Sequence, residues 1–127
     1  MRIAIDTNRY TDLARGDAKV REVLERADEV LLPFPVLAEL RAGFALGRHG
    51  AENERGLRRF LVHVGVSVLW ADEQSIHHYA TLFRQLRTQG TPIPTNDLWV
   101  AALVLQHDLV LYARDKHFDS VPQIPKL

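Results

Sequence analysis

Short apolar runs alternate along this chain with longer stretches in which apolar residues recur every three or four positions. Arg2–Ile5, Glu29–Leu32, Val66–Trp70 and Leu109–Tyr112 are each a few residues long and end at a polar or turn-forming position, so they read as strands. Between them the spacing is helical. Tyr10 and Leu13 predict a short helix that Thr7 or Asn8 can cap and Gly16 ends. Asp17 can cap a second, with Val20, Val23, Leu24 and Ala27 along one side. Pro33 stops the second strand, and Pro35 suits the first turn of a third helix that runs to Gly47. A charged fourth helix begins near Glu52, with Leu57, Phe60, Leu61 and Val64 as its stripe. Asp72 caps a long fifth helix through Ile76, Tyr79, Leu82, Phe83 and Leu86 to Gly90. The two prolines of Thr91–Asn96 mark a loop. Asp97–Gln106 is apolar on nearly every side, as a helix buried in the middle of a domain would be. A turn over Arg114–His117 and an extended piece to Leu127 complete the chain.

Strands alternating with helices predict an α/β fold: a parallel sheet of four to five strands, helices on both faces, right-handed crossovers. At 127 residues the chain can bury one core but not two, so residues 1–127 are expected to form one domain. Cysteine is absent, which excludes disulfides, thiolate metal sites and cysteine nucleophiles, and fits a reducing cytoplasm. No apolar stretch is long enough to span a bilayer, and the amino end reaches an acid too soon for a signal peptide. Sixteen basic residues balance sixteen acidic ones, so tight nonspecific binding to nucleic acid by charge alone is not expected. Local arginine patches beside an acidic site remain compatible with that balance.

Four acids stand at or near the ends of apolar runs: Asp6, Glu39, Asp97 and Asp115. In a parallel sheet the ends of different strands gather at one edge, so such residues can share a crevice. At a separation of about 5 Å each pair would repel by roughly 3 kcal/mol at an effective dielectric of about 20. A divalent cation reverses that sign, and oxygen ligands suit Mg²⁺ or Mn²⁺. Each acid also has a plainer reading. Asp6 can cap the helix after it, Asp97 sits where a helix dipole favours an acid, and Asp115 is a loop acid. Glu39 lies among apolar neighbours, where a carboxylate is costly unless paired or metal-bound. Asp119 is a weaker candidate, through water or as a solvated turn residue. Arg9, Arg114 and Lys116 adjoin the acids in sequence and could hold a phosphate backbone. Trp70 and Trp99 could stack bases, although Trp99 in the buried helix reads better as core. Six histidines show no zinc spacing, and His117 reads as a surface residue more readily than a substrate contact.

The opening Asp6-Thr7-Asn8, the central PVLAELRAGF with Glu39, the late Asn96-Asp97 and the closing RDKHF with Asp115 resemble the PIN-domain ribonucleases, above all the VapC-type toxins of toxin–antitoxin pairs. The resemblance runs in order over essentially the whole chain. It implies a Mg²⁺- or Mn²⁺-dependent endoribonuclease, a homodimer, and a cognate VapB-type antitoxin that blocks the site. It also implies tRNA, rRNA or mRNA as substrate, with Asp6, Glu39, Asp97 and Asp115 as the acidic quartet and Asn8 supporting the first acid. Asp6, Asp97 and Asp115 would be the metal ligands, with Glu39 direct or through water. The chain departs from the family in having Ala113 where a Thr or Ser is common, which removes a hydroxyl near the last acid. Two other readings compete: a phospho-receiver-like domain, and a catalytically silent PIN-like binding module. A dehalogenase-type phosphatase would need an acid at Asn8, and no Gly-rich loop supports a nucleotide site.

Overall fold

The computed structural model describes residues 1–127. Four parallel strands form one sheet: β1 (Arg2–Ile5), β2 (Glu29–Pro33), β3 (Val66–Leu69) and β4 (Val110–Tyr112), in the order β3-β2-β1-β4. Ile3 pairs with Val30 on one side and Val110 on the other, and Val30 pairs in turn with Val66. Six helices connect and cover the strands: α1 (Thr7–Ala14), α2 (Ala18–Arg26), α3 (Phe34–Leu46), α4 (Gly50–Leu61), α5 (Glu73–Gln89) and α6 (Thr95–Gln106). A 3₁₀ helix over Lys116–Ser120 follows β4.

Consecutive strand residues point to opposite faces. Ile3, Ala4 and Ile5 are all fully buried, so both faces of β1 are covered. That is the requirement a parallel sheet imposes, and it explains why the strand reads as an unbroken apolar run. The sequence allows a fifth strand; four form. The tail takes the outer place instead: the Leu111 N–H donates to the Pro125 carbonyl at 2.8 Å, and Leu127 N–H returns to the Leu111 carbonyl at 2.9 Å. One edge of the sheet is thereby covered rather than left open to pairing.

Helix α6 lies in the core, with Leu98 and Val100 through Val104 buried, and packs along α5. The start of α5 is tied to the end of α6. Asp72 and Ser75 form a capping box, and Gln106 Nε2 donates to Asp72 Oδ1 at 2.8 Å. Gly90 ends α5 in the left-handed region (φ 74°), where a side chain is unfavourable. Helix α4 begins at Gly50, two residues before the expected Glu52, and Leu57 is its one buried side chain. No helix is long and apolar enough to cross a membrane.

Candidate metal centre

The carboxyl ends of β1 and β4 lie side by side, and the first acid sits between them. Asp6 is 6% exposed. Its Oδ1 accepts the Arg9 N–H at 2.8 Å and its Oδ2 the Arg114 N–H at 3.1 Å. Of the three capping residues the sequence offers here, Asp6 caps α1, and Thr7 and Asn8 lie inside the helix. A carboxylate reaches both the helix start and the neighbouring strand exit, which a hydroxyl with one oxygen cannot. Burial pushes the Asp6 pKa above the usual carboxylate value, against the pull of the Arg9, Arg114 and Asp115 N–H groups. Asn8 is exposed; the groups that hold Asp6 are backbone donors, not the Asn8 amide.

Thr7, inside α1, turns its hydroxyl to Glu39 Oε2 at 3.0 Å. Asn96 Nδ2 donates to Glu39 Oε1 at 3.0 Å. Glu39 is thus held by α1 and α6 while standing on α3. It is exposed, not half-buried as its apolar neighbours imply: α3 buries Val36, Leu37 and Leu40 and leaves Ala38 and Glu39 outside. Arg41, the nearest basic residue in sequence, pairs with Glu54 instead. Helix α6 begins at Thr95, two residues before the expected Asp97, with Pro94 at the cap position and no side-chain cap. Thr95 and Asn96 are consequently first-turn residues, which frees the Asn96 amide for Glu39.

Asp97 and Asp115 meet at His117. The ring Nδ1 lies 2.7 Å from Asp97 Oδ2 and 2.9 Å from Asp115 Oδ1. Asp115 also caps the 3₁₀ helix, accepting the His117 N–H at 2.9 Å. Asp97 is pushed above the usual carboxylate range, mainly by burial; the His117 hydrogen bond opposes that shift, and repulsion from Asp115 and Glu39 adds to it. The His117 pKa is raised, first by its hydrogen bond to Asp97 and then by the Asp115 charge, against desolvation. His117 is therefore part of this cluster and not an ordinary surface histidine. Its sequence signal was its place two residues after an acid that caps a single turn.

Glu39, Asp97, Asp115 and His117 line one open depression of about 430 Å³ together with Pro94, Thr95 and Asn96. Apart from the Pro94 ring its wall is polar. Ligand atoms of Asp97, Asp115 and His117 all lie within 4.8 Å of one another. Two carboxylates and an imidazole, with a third carboxylate on the same wall, form a donor set that fits a small divalent cation. Three of the four sequence-predicted acids converge here. Asp6 lies behind them, reaching the group through the Arg114 backbone and through its neighbour Thr7.

The basic candidates divide. Arg9 and Arg114 both turn to Asp12, at 3.5 and 3.1 Å, and the Arg9 guanidinium rests 4.2 Å from the centre of the Tyr112 ring. Only Lys116 of the three is exposed without an acidic partner. Asp119 pairs with Lys126 and stands outside the depression. Ala113 packs against the core. Trp99 is half-buried with its ring centre 4.3 Å from that of Tyr79, while Trp70 is 64% exposed and stacks on Phe34.

The PIN domain family model matches residues 3–124. Ribonuclease VapC1 of Haemophilus influenzae (strain R2866) is 31% identical over 129 aligned positions, covering 94% of this chain and 92% of that protein. The solved structure of VapBC-1 from nontypeable Haemophilus influenzae superposes with a TM-score of 0.88 at 27% identity, covering 100% of this chain and 97% of that one. VapBC-5 from Mycobacterium tuberculosis, a member of the VapBC family of toxin–antitoxin systems, shares the fold with a TM-score of 0.76 at 23% identity over the full length of both chains. This chain belongs to the PIN-domain family, in its VapC branch.

Proposed function

We infer that this chain is a divalent-metal-dependent endoribonuclease, the toxin of a VapBC-type pair, that hydrolyses RNA phosphodiesters with water. The observation that carries the reading is the convergence of Glu39 from α3, Asp97 from α6 and Asp115 from beyond β4 on one polar depression, in a chain of this family. Carboxylates from three separate segments have no structural reason to approach one another, and their repulsion favours a cation.

Asp97 and Asp115 are the residues to hold Mg²⁺ or Mn²⁺. A bound divalent cation neutralises the phosphate oxygens and makes a water easier to deprotonate. Glu39, with its oxygens oriented by Thr7 and Asn96, is placed to accept a proton from the attacking water. Asp6 fixes the Arg114 backbone and so aims Asp115; its three backbone N–H donors leave one of its four lone-pair sites for a cation or its water. Lys116, next to Asp115 in the chain and without an acidic partner, is the cation offered to the RNA backbone. The partners are a VapB-type antitoxin, which would cover the depression, and a second copy of the chain.

The test is cleavage of a fluorogenic RNA in Mn²⁺. The wild type is expected to cut, and to stop in excess chelator; Asp97→Asn and Asp6→Asn are expected not to cut. Full activity in either variant, or in chelator, contradicts the reading. Labelling by acetyl phosphate would instead favour a phospho-receiver.

A further inference from the structure

Resting on the metal-dependent reading above, we propose that His117 is a direct ligand of the cation through Nδ1, beside Asp97 and Asp115, so that the centre prefers Mn²⁺ to Mg²⁺ more strongly than carboxylates alone would make it.

Neighbouring ligand atoms around an octahedral cation with bonds of about 2.1 Å stand about 3.0 Å apart. The His117 ring nitrogen stands 2.7 Å from an Asp97 oxygen and 2.9 Å from an Asp115 oxygen. These are the separations such a cation requires along two edges of its shell. Without a cation the same short separations are bridged by hydrogen bonding of the ring to the carboxylates, so Nδ1 already stands where a cation would replace that proton.

The ring is also held in place. Asp115 caps the single turn that carries His117 and accepts its backbone N–H. The next residue, Phe118, is 1% exposed and anchors that turn in the core. A side chain fixed on both sides along the chain keeps Nδ1 facing the two carboxylates at little cost in entropy. The nearby arginine offers no substitute, because the Arg114 guanidinium is turned to Asp12.

Chemistry then sets the selectivity. Mg²⁺ strongly favours oxygen and dehydrates reluctantly, whereas imidazole nitrogen suits transition metals. One nitrogen among oxygens moves the preference toward Mn²⁺. Loss of the nitrogen should therefore weaken Mn²⁺ binding far more than Mg²⁺ binding.

The experiment titrates the full chain with Mn²⁺ and with Mg²⁺ by calorimetry, and records electron spin-echo envelope modulation of the Mn²⁺-loaded protein. In the wild type, nitrogen coupling from a bound imidazole is expected. In His117→Gln the coupling should vanish, and Mn²⁺ affinity should fall at least about tenfold, the loss typical of disturbing even an outer partner of a metal site. Mg²⁺ affinity in that variant should change by less than Mn²⁺ affinity. Mn²⁺ that binds the wild type without nitrogen coupling, and binds His117→Gln equally well, overturns the proposal and leaves the metal-dependent reading standing. Mn²⁺ that fails to bind the wild type, or binds Asp97→Asn as tightly, overturns both.

Discussion

Asp97→Asn should change the melting temperature in opposite directions with and without metal. In the metal-free protein Asp97 is a carboxylate whose ionised form is disfavoured by burial and by Asp115 and Glu39, with His117 offsetting part of that. Ligand atoms of Asp97 and Asp115 are within 4.8 Å, where two unit charges repel by about 3.5 kcal/mol at an effective dielectric of about 20, before His117 is counted. A folded pKa above the unfolded 3.8 means that ionisation opposes folding. The penalty is fully present above the folded value and gone once the pH falls below 3.8. Metal-free Asp97→Asn should thus melt above the wild type at neutral pH, and the gap should close on acidification. With metal the order reverses. A cation at tenfold its dissociation constant adds about 1.4 kcal/mol, and at a hundredfold about 2.7 kcal/mol. Taking about 2.1 cal/mol/K of unfolding entropy per residue, a chain of this length gains roughly 5 °C and 10 °C respectively. The wild type should show that rise with Mn²⁺ and the variant should not. Differential scanning fluorimetry across pH, with Mn²⁺ or with chelator, reads both signs at once. A Mn²⁺-induced rise of equal size in the two proteins would refute the argument, as would a metal-free variant that melts lower at neutral pH.

Leu57→Ala should cost about 3 kcal/mol, near 10 °C in Tm, since Leu57 is fully buried and is the one side chain of α4 in the core. Glu54→Gln, which breaks the exposed pairs to Arg41 and Arg58, should cost less than about 1 kcal/mol; urea titration of the two variants beside the wild type reads both losses. Asp72 has its pKa lowered, first by the Gln106 amide and then by the Ser75 N–H, so its stabilisation holds above 3.8 and is lost as pH falls through its lower folded value. Hydrogen exchange at the start of α5 should accelerate over that acid range in the wild type, and already at neutral pH in Asp72→Ala. Asp108 is a non-glycine residue in the left-handed region (φ 53°), so Asp108→Gly should raise Tm by a few degrees or fewer, where a glycine inside a helix would lower it.

Glu39, Asp97 and Asp115, which line one depression, were legible because they stand at or near the ends of apolar runs, where no core requires a carboxylate; Asp6 was singled out the same way and stands outside that depression. The strands were legible for the opposite reason: Ile3-Ala4-Ile5 and Val30-Leu31-Leu32 are buried on both faces, and such runs have few alternatives. Helix starts were less so. Asp6, Thr7 and Asn8 are all good caps, as are Thr95, Asn96 and Asp97, and local preference cannot rank three adjacent capping residues. In the first case a second donor settles the matter: Arg114, 108 residues away, needs an acceptor, and Asp6 has two oxygens. In the second, Pro94 opens the helix early and Asn96 is drawn to Glu39. The same limit hid His117. A histidine two residues past an acid looks solvated until Asp97, 20 residues back in the chain, is seen beside its ring.

Composition and order along the chain determined the layering of strands and helices, the parallel sheet and the identities of the carboxylates, because burial and periodicity are local properties of residues in sequence. Tertiary structure alone decided which polar groups those carboxylates meet. Glu39 is oriented by Thr7 and Asn96, Arg9 and Arg114 are turned to Asp12, and His117 is set between Asp97 and Asp115. Hydrogen bonds and charges act over a few ångströms, and only the folded chain brings residues from α1, α3, α6 and the turn after β4 within that range.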